Sequence, residues 1–87
     1  MNQAKSELGV RIHRAFREMA FTQQQIVHVE GLKQDQEDQR RAGRVTQAEY
    51  RSVLSRCEEK SRQLFTQLAE KSREIDDLRA LIQRSDT

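Results

Sequence analysis

The feature that most constrains the fold is a regular apolar stripe in the carboxyl-terminal half of the chain. Between residues 50 and 82, eight of the ten positions reached by alternate steps of four and three are apolar or Cys. This spacing places all ten side chains on one face of an α-helix, and such a face packs against another helix. The stripe consists of Tyr50, Leu54, Cys57, Ser61, Leu64, Leu68, Lys71, Ile75, Leu78 and Ile82.

The sequence also predicts where this helix begins. Thr46 is followed three residues later by Glu49, which is the spacing of a capping box. In that motif the Thr hydroxyl accepts from the Glu backbone N–H, and the Glu side chain accepts from the Thr backbone N–H. We therefore predict a helix over about 46–84.

A second stripe with the same spacing lies in the amino-terminal half and predicts another helix, over about 3–41. Gly43 can adopt the left-handed conformation that ends a helix, and Arg40 and Arg41 lie where the helix dipole favours positive charge. Glu37 and Arg41 form a favourable pair four residues apart. The second stripe consists of Leu8, Ile12, Ala15, Met19, Thr22, Ile26 and Val29.

The two helices are expected to form a hairpin. The sequence has no Pro to interrupt either helix, and a turn as short as 42–45 joins antiparallel neighbours. If the chain doubles back near Gly43, the numbers of facing residues add up to about 87, so that Ile12 lies near Ile75 and Thr22 near Phe65. The predicted fold is an all-α, antiparallel, coiled-coil-like two-helix hairpin, a single domain over residues 1–87.

A lone hairpin buries only one side of each helix, so a further apolar surface is expected to meet another protein. The apolar residues that fall beside or outside the seam, and would stay exposed to water in a lone hairpin, are Val10, Phe21, Val27, Val53, Phe65 and Leu81. We predict a helical bundle completed by a homodimer or by a helical partner. The predicted core and interface residues are Leu8, Ile12, Phe16, Met19, Phe21, Ile26, Val29, Leu54, Cys57, Leu64, Phe65, Leu68, Ile75, Leu78 and Ile82.

Catalytic, metal and cofactor sites are not expected. His13 and His28 are fifteen residues apart and have no further ligand at metal-binding spacing on their faces. Cys57 occupies a seam position and is interpreted as a small buried hydrophobe. No nucleophile with its base, acid–base pair or phosphate-binding Gly loop is present. The chain is predicted not to be an enzyme, with no cofactor and no small-molecule substrate.

Charge offers an alternative function. The net charge is only +2, so no strong field attracts nucleic acid or lipid. Arg11, Arg14 and Arg17 nevertheless form a basic face that could contact phosphates, and nucleic-acid binding through it is the rival hypothesis. No window is long and apolar enough to span a membrane. With a single Cys and no apolar leader, the protein is expected to be soluble, intracellular and cytoplasmic.

Residues 12–18, Ile-His-Arg-Ala-Phe-Arg-Glu, resemble the basic and apolar opening of tubulin-binding cofactor A proteins. That resemblance implies a helical chaperone. Helical hairpins of similar length also occur among secretion-system chaperones. The family has a third helix and a proline in its second helix, and this sequence predicts neither.

The sequence therefore predicts a non-enzymatic protein–protein interaction module: a coiled-coil scaffold, an adaptor or a small assembly chaperone. A cofactor-A-like or secretion-type chaperone stays open as an alternative, beside nucleic-acid binding.

Lys71 interrupts the carboxyl-terminal stripe and is predicted to extend past Phe16 into water. As single polar seam residues do in coiled coils, either Lys71 or Ser61, the other polar residue of this stripe, is also a candidate to set the register or the oligomeric state.

Overall fold

The protein is an antiparallel two-helix hairpin, as predicted. The computed structural model describes residues 2–85, and the side chains of residues 5–85. Helix α1 spans Asn2–Arg41 and helix α2 spans Gln47–Ser85, and no strand occurs in this range. The two helices pack along their length to form a rod whose extents are 64 × 14 × 13 Å. The rod is only two helices thick, so every residue outside the seam faces the surroundings.

The turn between the helices is held by backbone motifs at both ends. Gly43 has a φ of 71°, and the N–H groups of Gly43 and Arg44 donate to the carbonyls of Arg40 and Gln39 at 3.0 and 2.9 Å. This is the Schellman arrangement, which satisfies the last carbonyls of α1. At the start of α2 the capping box has formed. The Glu49 N–H donates to the Thr46 hydroxyl at 3.1 Å, and the Thr46 N–H donates to the Glu49 carboxylate at 3.3 Å.

Both stripes line the seam. Leu64 is 1% exposed and forms a cluster with Val29 and Cys57, against which Ile26 packs. Small and polar stripe residues are buried as well, namely Ala15, Thr22 and Ser61. Of the predicted core and interface residues, Val29, Cys57, Leu64, Ile75 and Leu78 are buried; Leu8, Ile12, Met19, Ile26, Leu54, Leu68 and Ile82 are partly buried; and Phe16, Phe21 and Phe65 are exposed.

Two side-chain contacts between the helices fix the register. The Tyr50 hydroxyl donates to Glu37, and the Lys71 ammonium pairs with Glu18. In both pairs the residue numbers add up to within two of 87, the value expected for a chain that doubles back near Gly43.

At three positions the structure differs from the expectation. Phe65 is 54% exposed, as expected for a residue outside the seam, but it does not fill the seam beside Thr22 as the register predicted; its neighbour Leu64 is buried instead. Val53 is not left outside, since it packs against the core cluster. Lys71 does not end free in water, because carboxylates on both helices bind its ammonium group. All three residues lie on or beside the edge of the seam, where a small rotation of a helix decides burial.

Candidate interaction surface

Among residues 5–85, seven large apolar side chains lie exposed on the outside of the rod. Phe21 is 62% exposed and Val27 is 71% exposed. Leu32, which belongs to neither stripe, is exposed as well. An isolated exposed apolar residue is ordinary on a protein surface, whereas residues grouped on one side can form a binding site. The complete set is Val10, Phe16, Phe21, Val27, Leu32, Phe65 and Leu81.

One group forms what we call the aromatic face: Phe16, Ala20 and Val27 on α1 with Phe65 and Ala69 on α2. Spacings of four and seven residues place the α1 members on one side of that helix. The guanidinium of Arg79 lies 5.4 Å from the centre of the Phe16 ring, which places Arg79 on the same side of the rod. Phe65 precedes Arg79 by two seven-residue repeats and therefore shares its side of α2. All five residues are exposed.

Elsewhere, two adjoining depressions form what we call the charged groove, which extends from the middle of the rod towards the end that holds the chain termini. The larger has a volume of about 720 Å³ and is lined by Val10, Arg14, Arg17 and Phe21 of α1 together with Glu70 of α2. The smaller is lined by Arg11 of α1 and by Glu70, Glu74, Asp77 and Leu81 of α2. Glu70 lines both depressions, so they belong to one surface.

The two banks of the charged groove carry opposite charge. The α1 bank is the predicted basic face, Arg11, Arg14 and Arg17, and all three side chains are exposed. The α2 bank is Glu70, Glu74 and Asp77, spaced by four and three residues and hence on one side of the helix. This acidic bank was not predicted from the sequence, although the spacing of its three residues was a signal for it. Arg73 also lines the smaller depression and partly offsets the acidic charge.

Between the banks, Lys71 bridges the two helices. Its ammonium pairs with Glu18 of α1 and lies 3.1 Å from a Glu74 oxygen in its own helix. The hydrogen bond to Glu18, followed by the one to Glu74, raises the pKa of Lys71 above its ordinary value. The group therefore stays charged at neutral pH and ties the banks together.

At the other end of the rod, beside the turn, the Glu37 carboxylate accepts hydrogen bonds from three side chains. Its carboxylate accepts from Arg40 at 2.7 Å, from Arg41 at 3.2 Å and from the Tyr50 hydroxyl at 2.7 Å. Arg40 also lies 5.0 Å from the centre of the Tyr50 ring. The hydrogen bonds from Arg40 and Tyr50 lower the pKa of Glu37 to about 2. This cluster is structural, since it joins α1 to α2 beside the turn.

The residues considered for chemistry do not come together. His13 and His28 are both exposed, and Cys57 is buried in the seam. Across the described residues, no three His, Cys, Asp or Glu side chains lie close enough to hold a metal ion.

Within residues 2–85, neither helix combines the length and the hydropathy needed to cross a membrane. No protein-family model matches the chain, and searches of curated proteins and of solved structures found no significant match.

Proposed function

We propose that this protein is a non-enzymatic interaction module that binds another helical protein chain, as a scaffold, an adaptor or a small assembly chaperone. The main observation in support of the proposal is the large solvent-accessible surface of the chain. The chain exposes 6770 Å², whereas a folded monomer of this mass exposes about 5300 Å². The excess of about 1500 Å² is larger than the ~800 Å² that one partner contributes to a standard interface.

The chemistry of the exposed surface agrees with this proposal. Apart from Leu32, the exposed large apolar residues are grouped on the aromatic face and along the charged groove. Aromatic and Arg side chains, which are enriched in protein interfaces and their energetic centres, occur on both surfaces. Association would bury these side chains and leave the charged remainder of the rod in water.

The first test is thermal unfolding over a range of protein concentrations, from about 1 to 200 µM. Association stabilises the folded state by mass action, so Tm is expected to rise with concentration. Phe21→Gln and Phe65→Gln each remove one exposed ring without touching the seam, and at least one of them should flatten this dependence. Ser55→Gln, at an exposed site without a large apolar neighbour, is the matched control.

If the partner is a different protein, Tm of the purified chain does not depend on its concentration. A second experiment is therefore needed to detect such a partner. Photocrosslinkers placed at Phe21 and Phe65 in the native host would capture such a partner, and Ser55 again serves as the control position. A concentration-independent Tm, unchanged by either Phe substitution, together with no crosslink specific to Phe21 or Phe65, would refute the proposal.

Nucleic-acid binding through Arg11, Arg14 and Arg17 is the second candidate. The exposure of all three guanidinium groups on one bank favours it. The acidic bank across the groove opposes it, because Glu70, Glu74 and Asp77 repel phosphates. Fluorescence anisotropy with single-stranded and duplex oligonucleotides at low salt tests this candidate. Binding that weakens steeply with salt and is lost in Arg14→Gln/Arg17→Gln supports it, and no binding at low salt excludes it.

A further inference from the structure

The charged groove suggests which protein chain binds there. We propose that a second copy of this chain docks on the charged groove, with the two rods parallel and the α1 bank of each copy against the α2 bank of the other. This inference rests on the proposed function and adds to it the occupant, the face and the orientation.

The basic bank and the acidic bank of the charged groove make this surface complementary in charge to a second copy of itself. A face with one basic and one acidic bank matches its own copy when a two-fold axis exchanges the two banks. The side chains of Arg14 and Glu70 make no hydrogen bond or ion pair within the described residues. The same holds there for Arg11, Arg17 and Asp77. These charges are thus available to a second chain.

The second argument is the level of each charge along the rod. Residues of α1 and α2 at the same height along the rod have numbers that add up to about 87. A two-fold axis parallel to the rod keeps every residue at its height, so each Arg lies opposite a carboxylate of the other copy without a shift of one rod along the other. The basic bank spans six residues and the acidic bank seven, or about 9 and 10 Å of helix. The matched pairs are Arg11 with Asp77, Arg17 with Glu70, and Arg14 with Glu74, whose carboxylate also binds Lys71 of its own chain.

The alternative symmetry is unfavourable. A two-fold axis perpendicular to the rod, at the height of the two banks, would place the α1 bank on the α1 bank and the α2 bank on the α2 bank. Arg would then face Arg, and carboxylate would face carboxylate, at a cost of several kcal/mol for like charges in contact. The charge pattern therefore selects the parallel arrangement, in which the turns of both copies lie at the same end.

The third argument is the apolar surface of the same groove. Val10 and Phe21 on α1 and Leu81 on α2 line it and are exposed. In the parallel dimer these side chains are enclosed between four helices. The pairs of opposite charge then set the register, while the apolar side chains supply surface to bury.

Charge reversal tests the inference. One variant reverses the α1 bank (Arg11→Glu/Arg17→Glu) and another the α2 bank (Glu70→Arg/Asp77→Arg). All four positions are exposed and lie outside the seam, so circular dichroism should show unchanged helicity. Each variant alone should dimerise roughly a hundredfold more weakly than the unmodified chain, because like charges then meet. An equimolar mixture should form a heterodimer of near-original affinity, measured by native mass spectrometry and sedimentation velocity.

Two further measurements check the face and the orientation. Phe21→Gln should raise the dissociation constant roughly tenfold, whereas Phe65→Gln, on the aromatic face, should leave it unchanged. With the native thiol removed (Cys57→Ala), spin labels at Ala42→Cys beside the turn should lie within about 30 Å of each other in the dimer. The perpendicular two-fold would separate them by about 80 Å.

The outcomes separate this inference from the proposed function. Dimers that survive both charge reversals, or that dissociate on Phe65→Gln but not on Phe21→Gln, would overturn the docking on the charged groove while leaving an interaction module in place. A mixture of the two variants that stays monomeric would also overturn it. A dimer held by these charges should weaken roughly tenfold between 50 and 500 mM salt, and a dimer that tightens over that range contradicts it.

Discussion

The Tyr50 hydroxyl donates to the Glu37 carboxylate at 2.7 Å, and this bond joins the first turn of α2 to the last turns of α1. The same carboxylate accepts from Arg40 and Arg41. A short connection with a formed cap at each end would hold the helices near each other, and the bond between Tyr50 and Glu37 adds a fixed register. The turn thus defines which residues of the two stripes meet.

Tyr50→Phe should loosen this end of the rod. The substitution removes the hydroxyl and keeps the ring, so the contact between Arg40 and the ring remains while Glu37 loses one donor. We expect Tm to fall by a few degrees and hydrogen exchange to accelerate for amides near residues 37–50. Exchange near Leu78, at the far end of the rod, serves as the internal control. Equal acceleration at both ends would contradict a local role.

Glu37 should also make stability depend on pH. Its pKa is lowered from 4.5 to about 2 in the folded protein, chiefly by hydrogen bonds from Arg40 and Tyr50. A lowered pKa means that the contribution to stability is complete above about pH 4.5 and is lost as the pH falls towards 2. The difference in Tm between the unmodified chain and Glu37→Gln should therefore shrink across this range. A difference that stays constant from pH 6 to pH 2 would contradict the assignment.

Ser61 is a buried seam residue whose hydroxyl has no hydrogen-bond partner. Burying a polar group without a partner is costly, so Ser61→Ala should raise the free energy of unfolding by about 1 kcal/mol. Part of that gain is the higher helix propensity of Ala, which Ser55→Ala measures separately at an exposed site. Urea denaturation gives both values. No gain for Ser61→Ala beyond that of Ser55→Ala would show that the hydroxyl is satisfied.

Truncation of the adjacent residues Leu64 and Phe65 should lower the free energy of unfolding to very different extents. Leu64 is 1% exposed, so Leu64→Ala should lower the free energy of unfolding by about 3 kcal/mol, as loss of a buried Leu does. Phe65→Ala removes more atoms, but from the exposed aromatic face, and should cost under about 1 kcal/mol. Chemical denaturation of both variants decides this. Equal losses would mean that the Phe65 ring is covered.

Lys71 should stabilise the seam less than an apolar residue would. Its ion pairs are partly exposed, and exposed pairs contribute about 0–1 kcal/mol. Leu at this stripe position would bury apolar surface worth about 1–2 kcal/mol, so Lys71→Leu should raise Tm. It should also admit additional oligomeric states, because a polar seam residue restricts the arrangements that helices adopt. A sedimentation profile with one unchanged species, together with an unchanged Tm, would contradict both effects.

Much of the hairpin could be read from the sequence, because each cause lies within a few residues of its effect. The capping box needs only Thr46 and Glu49, the end of α1 needs Gly43, and each stripe follows from helical spacing. The register between the helices could be predicted from the position of the short turn, without knowledge of the side-chain contacts that hold it.

Contacts at the edges of the seam could not be read in the same way. Periodicity gives the inward face of each helix but not its rotation against the partner, and that rotation exposes Phe65 and partly buries Val53. Long side chains add further uncertainty. Lys71 reaches Glu18 across the seam, and Tyr50 reaches Glu37, over distances that residue spacing does not define. The charged groove combines residues from both helices, so only the folded rod brings its two banks together.

Sedimentation equilibrium of the unmodified chain tests most directly whether the surface outside the seam is used. At 10–100 µM in about 100 mM salt, the self-association argued from the charged groove predicts a mass approaching twice the 10.2 kDa of one chain. That mass should fall on dilution and at higher salt. A particle of 10.2 kDa at every concentration, unfolding cooperatively with a constant Tm, would contradict it.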